Sequence, residues 1–473
     1  MRRYFSSFQG LLLPLTGGLS IGVYLRHKQK VPNVYALSDK EVAGPDGAYS
    51  PPSDDNLVVR NVQIFVRHGA RTPLKVLPYL DQASWSLETL MADPPEYARY
   101  PFTVHDFHGK PLSMGLFETL SRNVIFPGGC FAGQLTLPGK RQMYQLGQRL
   151  RKEYINDQKF LSPSYSSKEV YVRSTNITRT IESAMWMVSG IYNATKEDLE
   201  KPDVPVIPVF ATTEQEEILY PNHSFCNALT RLSKRIMQHM HEITGMLDDR
   251  DLLEKQIDFD TTKGRLSFVD LRDELAARLA HDMDMPPVLR QWWDKVDGYA
   301  VQVLARMVKG NDPSSKIQRE VLRLACGPVV EMVLGNMSGV VQHRNGFKLE
   351  VYSCHDSMMI ALIIALDIWD GKWPPYAADL RFELLEDRTN PGEYFVRVRY
   401  LGDAKVLSAL HSEEVKEMTT VYPLKDFTSN FIDLAISSRH HREQCQVRTD
   451  YTDPLTEEDD DEGSYFIAAK PSK

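Results

Sequence analysis

The sequence predicts an α/β protein: a largely parallel sheet covered by helices on both faces, carrying a mainly helical cap. Three observations support this. Short β-branched and aromatic runs alternate with amphipathic stretches, as strand–helix–strand units require. Three of those runs end in a polar loop that leads into a helix. Between the second and the third lies a Met- and Leu-rich region, 216–324, with helical period and little strand signal.

The elements follow in chain order. Residues 1–38 hold five Lys/Arg and no acid, around the 15-residue apolar run Leu11–Leu25. A membrane span needs about 20 apolar residues, and Pro14, Gly17, Gly18 and Gly22 weaken the run further. No small-residue cleavage site follows, so the segment reads as a mitochondrial presequence, with a secretory-pathway anchor as the alternative. Residues 11–25 are also the candidate for membrane association. A Pro-, Gly-, Ser- and Asp-rich linker occupies 39–56.

The first part of the core, 57–215, contains the strand Val62–Val66, the amphipathic helix Gly139–Tyr154, the strand Glu169–Val172 and a helix near Thr178–Tyr192. The cap, 216–324, reads as helices Arg231–Leu253, Leu271–Met285 and Val288–Val308. The second part of the core, 325–445, supplies the strand Lys348–Tyr352 and the apolar helix Met358–Leu366, which Ser357 or Asp356 can cap. Residues 446–473 form an acidic tail without apolar period, read as disordered.

Composition limits the function. At 473 residues, 42% hydrophobic and 25% charged, the chain is globular and long enough for two or three domains. A net charge of −8 argues against a nucleic-acid partner, because such surfaces carry a basic surplus. Five widely spaced cysteines without a Cys-x-x-Cys pair exclude a disulfide scaffold and zinc-ligand spacing. They read as buried thiols, with one bridged pair left open. Four sequons, at Asn176, Asn193, Asn222 and Asn336, favour the secretory route weakly. His239, His241, His440 and His441 are poor metal candidates, since neighbouring histidines point to different helix faces. Trp292 and Trp293 read as core, and no Walker loop or dinucleotide fingerprint is present.

The chemistry concentrates at the three strand ends. Arg67-His68-Gly69-Ala70-Arg71-Thr72-Pro73 sets two guanidinium groups around one imidazole, a fork suited to phosphate oxygens. The five specified positions of Arg-His-Gly-x-Arg-x-Pro arise by chance in about one chain in ten thousand of this length. Gly69 allows a tight turn close to a ligand. Cationic neighbours keep an imidazole neutral, so a ring nitrogen of His68 can attack phosphorus. Arg173 adds a third guanidinium from the middle strand. His355 can hold a phosphate oxygen, and Asp356 can protonate a leaving oxygen.

These residues resemble the histidine acid phosphatase family, the second branch of the histidine phosphatase superfamily. Further matching stretches are Cys130–Thr136, Phe160–Pro163, Val172–Asn176, Leu219–Asn222 and Lys372–Pro375, so the resemblance spans about residues 61–400. It implies a phosphoglycerate-mutase-like three-layer core. It places the phosphohistidine nucleophile on His68, the proton donor on Asp356, and phosphate binding on Arg67, Arg71, Arg173 and His355. It implies no metal and no cofactor. Ser357 departs from the residue many relatives carry after the His-Asp pair. The members that hydrolyse lysophosphatidic acid are the most similar, so the expected substrate is a lysophospholipid phosphomonoester and the expected state a monomer. The alternatives are a soluble sugar or inositol phosphate as substrate, or an inactive phosphate-lipid binder, which would require a broken site.

Overall fold

A computed structural model describes residues 52–238, 243–309, 316–410 and 419–446. The N-terminal segment with its apolar run, most of the linker, His239, His241 and all but the first residue of the acidic tail lie outside the described residues. Among the described residues nine strands form one sheet: β1 (Leu57–Arg67), β2 (Phe102–His105), β3 (Val170–Ser174), β4 (Ile207–Phe210), β5 (Leu349–Cys354), β6 (Asp379–Asp387), β7 (Tyr394–Tyr400), β8 (Asp403–Ala404) and β9 (Val421–Pro423). Their order is β2-β4-β3-β5-β1-β6-β7-β8, with β9 also on β7.

The strands β2, β4, β3, β5 and β1 run parallel, while β6 and β7 continue the sheet antiparallel from β1. The three strands read from sequence, β3, β5 and β1, are therefore immediate neighbours, and their carboxyl ends lie side by side. β1 is buried from Asn61 to Arg67, which explains its run of Val, Ile and Phe on both faces. The antiparallel half was not anticipated. In Asp379-Leu-Arg-Phe-Glu the alternating charges imply a wet face, yet Asp379, Arg381 and Glu383 are all buried. Arg381 pairs with Asp379, and Glu383 with Arg397 and Arg399, so opposite charges on neighbouring strand positions replace water.

Two helices cover one face, α1 (Leu137–Arg151) and α2 (Thr178–Ile191). Met143, Leu146, Leu150, Met185 and Val188 join Val62, Ile64, Val172 and Val351 in one core. The sequence predicts regular helix to Tyr154. Instead α1 widens into a π-turn over Lys152–Asp157, which aims Glu153 at Arg381 and Arg399.

The cap comprises α3 (Asn227–Met237), α4 (Met246–Gln256), α5 (Phe268–Ala280) and α6 (Pro287–Lys309). The single helix expected over 231–253 is two helices, and Gly245 begins the second with φ +77°, a conformation glycine adopts without strain. The expected boundary at 324/325 falls inside α7 (Lys316–Val341). α7 also braces the core, because Gln63 and Asn336 tie it to β1 and β5. β5 leads into α8 (Asp356–Ala365), and α9 (Ser438–Gln446) closes the described chain.

Cys445 on α9 forms a disulfide with Cys226, just before α3, whereas Cys130, Cys326 and Cys354 are buried thiols. His440 is exposed, and His441 faces the Leu324 carbonyl and lies beside the disulfide, 3.6 Å from Cys445 Sγ. Trp292 is buried and donates to Gln256, as a core residue does.

Candidate active site

The last residue of β1, Arg67, lies in register with Cys354, the last of β5, and Ser174 ends β3 beside Ser353. Parallel register thus brings the loops that carry His68, Thr175 and His355 to one edge of the sheet, where ligands bind in such folds. His68 and His355 stand with ring centroids 5.7 Å apart, both buried.

Backbone close to His68 is fixed from three sides. The His68 N–H donates to Cys354 O, Gly69 N–H to Ser183 Oγ and Ala70 N–H to Gln142 Oε1. Gly69 is required here for a reason other than a tight turn. A Cβ at this position would overlap the Gly139 carbonyl of α1, so glycine lets the loop lie against the helix. His68 Nδ1 lies 2.9 Å from the Gly69 carbonyl. A carbonyl only accepts, so Nδ1 carries the proton and Nε2 the lone pair.

Electrostatics keep that ring neutral. Burial first, then the charges of Arg179, Arg71 and Arg67, hold the His68 pKa well below its usual value. Burial and Arg179 do the same to His355. The cationic cluster thus acts in the expected direction, with burial the larger cause.

Arg67 and Arg71 each lie against a buried carboxylate. Arg67 Nη2 pairs with Asp356 Oδ2 at 2.7 Å, and its guanidinium stacks 4.3 Å from the Tyr376 ring centroid. Arg71 grips Asp273 of α5 with both terminal nitrogens, at 2.8 and 3.3 Å. Arg173 turns to Glu217 at 3.1 Å, with Phe107 over its guanidinium and Met332 Sδ at 3.7 Å from Nη1. Asp356, the first residue of α8, accepts Arg67 and Trp373 on Oδ2 and the Ser357 N–H on Oδ1. Burial raises its pKa, but Arg67, Arg71 and the Trp373 N–H override this and bring it down to about 2.

Arg179 is the residue sequence reasoning missed. It sits in the first turn of α2, and its Nη2 lies 3.4 Å from His355 Nδ1. It is the charge with the greatest effect on both histidines. The signal was available: a strand-end loop that opens a helix offers the helix's first turn to the same site, and Arg179 follows Arg173 by six positions. His355 Nδ1 receives an N–H from Arg179, so Nε2 carries the ring proton toward Thr175 Oγ1 at 3.1 Å.

Comparison with known proteins assigns the family. The model of the histidine phosphatase superfamily (branch 2) matches residues 58–401. The chain belongs to that branch. Among branch 2 relatives, human lysophosphatidic acid phosphatase type 6 is 32% identical over 394 residues, covering 82% of this chain and 86% of the relative. The mouse protein of that name is 30% identical over 435 residues, covering 91% and 96%. Human prostatic acid phosphatase is 28% identical over 286 residues, covering 58% and 70%. A solved phytase from Citrobacter braakii superposes with TM-score 0.52 at 15% identity, covering 83% of this chain and all of that one, a likeness of fold. This branch 2 member is a histidine acid phosphatase, a phosphoric monoester hydrolase.

Proposed function

We propose that the enzyme hydrolyses lysophosphatidic acid to monoacylglycerol and phosphate through a phosphohistidine on His68. The supporting observation for a lipid is an apolar lip beside the histidines. His355 packs against Tyr220, and Tyr220 against Phe117, at centroid distances of 5.9 and 6.0 Å. Around Phe117, Met114 and Leu116 are 51% and 45% exposed, and Phe107, over Arg173, is 36% exposed. Exposed apolar clusters at a polar site mark a partner with an apolar part, here an acyl chain whose phosphate enters between the arginines. The similarity to lysophosphatidic acid phosphatases supports the same substrate.

In this reading His68 Nε2 attacks phosphorus in line with the leaving alkoxide. Arg67, Arg71 and Arg179 stabilise the transferring phosphoryl group, and Arg173 orders the entry with Glu217. Asp356 protonates the alkoxide, and water then cleaves the phosphohistidine. The phosphate's charge offsets the arginines around Asp356 and His355, so both gain protons on binding; His355 then donates to a phosphate oxygen. We expect kcat/KM for lysophosphatidic acid to exceed that for glycerol 3-phosphate at least tenfold. Met114→Asp with Leu116→Asp should erase that preference while sparing the short substrate. Equal turnover of both substrates by the native enzyme overturns the lipid reading.

The proposal extends to location. The acid-free first 38 residues support mitochondrial import, and the Cys226–Cys445 bridge supports an oxidising space on either route. Asn193 is exposed, whereas Asn222 and Asn336 are held in hydrogen bonds inside the fold. A glycan on Asn193 of the purified protein decides for the secretory route, and an unglycosylated chain in the mitochondrial fraction for import.

A further inference from the structure

Trp373 stands between Asp356 and the cap. Its indole N–H donates to Asp356 Oδ2 over 2.9 Å, and Arg67 Nη2 donates to the same oxygen at 2.7 Å. A carboxylate oxygen has two lone pairs, so these donors fill Oδ2. Oδ1 takes the Ser357 N–H at 2.9 Å and keeps one lone pair. On the other side, the Arg272 guanidinium of α5 lies 4.2 Å from the Trp373 ring centroid and is anchored by Asp297 of α6 at 2.7 Å. Trp373 and Arg272 are 6% and 9% exposed, so the stack is shielded from water, where a cation over an indole is strongest. The neighbouring Asp273 holds Arg71 and the Leu74 N–H. Two consecutive cap residues therefore reach the His68 loop directly, through Asp273, and Asp356 indirectly, through the Trp373 ring that Arg272 covers.

We propose that Trp373 is a positioning residue for proton transfer: it occupies Asp356 Oδ2 so that the transferable proton resides on Oδ1, and the cap holds it there through Arg272. This rests on the reading of Asp356 as proton donor. The indole cannot accept a proton, so when the carboxyl is protonated Oδ2 stays an acceptor and the acid hydrogen stays on Oδ1. Without the indole N–H, Oδ2 has an open lone pair. The proton then divides between two oxygens, and the carboxyl loses a donor that fixes its rotation. The N–H also favours the ionised form, so its loss moves the carboxyl's titration upward.

The test separates substrates by leaving group. An alkoxide needs a proton to leave, whereas p-nitrophenolate does not. Trp373→Phe keeps the ring on Arg272 and deletes the N–H. Its kcat on glycerol 3-phosphate should fall about tenfold, its kcat on p-nitrophenyl phosphate less than twofold, and the alkaline limb with the alkyl substrate should move up in pH. Trp373→His, which restores an N–H, should recover part of the loss. Arg272→Met, which leaves every donor to Asp356 intact, should show the same split in smaller measure, and it serves if the Trp373 variants fail to fold. Equal losses on both substrates, or an unmoved alkaline limb, overturn the proposal. Asp356→Asn distinguishes the two layers. A large alkyl-specific loss there with none in the Trp373 and Arg272 variants rejects the positioning role alone. No alkyl-specific loss in Asp356→Asn rejects the proton-donor reading and this proposal with it.

Discussion

Arg173 at the end of β3 and Arg179 in the loop-to-helix segment after it reach different partners. Arg173, named from sequence, points to Glu217, and Arg179, in the first turn of α2, reaches His355. Arg179→Ala should therefore lower kcat about a hundredfold or more, and Arg173→Ala should act mainly on KM; steady-state kinetics with p-nitrophenyl phosphate checks both. The His68 pKa, lowered first by burial and then by three guanidiniums, keeps the proposed nucleophile neutral below the usual histidine range. The acid limb of kcat/KM should thus lie well below pH 6.5, and a limb at 6.5 contradicts the geometry. Stability follows the same group with a definite sign. Unfolded histidine takes up protons below about pH 6.5, and buried His68 and His355 do not, so the folded state loses stability as pH falls through and below that value. Bound phosphate should reduce this loss, since its charge favours the protonated rings; thermal melts at pH 7 and pH 5 with and without phosphate measure it.

Elements decide how those residues meet. β3, β5 and β1 were legible because each is a compact apolar run with a polar end, and parallel register converts three such ends into one site. β6 and β7 were not, because their buried charges pair with each other and leave no apolar signature on that face. The start of α4 uses the left-handed backbone of Gly245, and the π-turn after α1 carries Glu153 to Arg381; hydrophobic period registers neither. The cap's link to the core also escaped the sequence, since nothing in the spacing of Arg71 and Asp273 announces a pair. Asp273→Ala removes the carboxylate shared by the buried Arg71 and the Leu74 N–H. It should destabilise the protein by about 3–5 kcal/mol, read from urea denaturation. Gly69→Ala should displace the His68 loop from α1 and lower kcat about tenfold, with a smaller change in the midpoint of unfolding.

For the whole molecule, the opening picture of a sheet, helices and a cap holds, with the cap bound more closely to the candidate site than a separate domain would be. It is joined by the Asp273–Arg71 pair, by the Arg272–Trp373 stack and by the disulfide across 219 positions from Cys226 to Cys445. In the chain-entropy account a loop of that length contributes roughly 5 kcal/mol. Cys226→Ser with Cys445→Ser should lower the melting temperature by several degrees yet leave kcat on p-nitrophenyl phosphate unchanged, because the bridge lies on cap and C-terminal helix rather than among the site residues. The central claim is a covalent phosphate on one named nitrogen. Rapid denaturing quench at alkaline pH of the enzyme mixed with phosphorus-32-labelled lysophosphatidic acid, followed by peptide mapping, tests it most directly. The label should appear within one turnover on His68, at Nε2, stable to base and lost in acid. A label on another residue, or release of phosphate at full rate with no labelled enzyme at any quench time, contradicts the account.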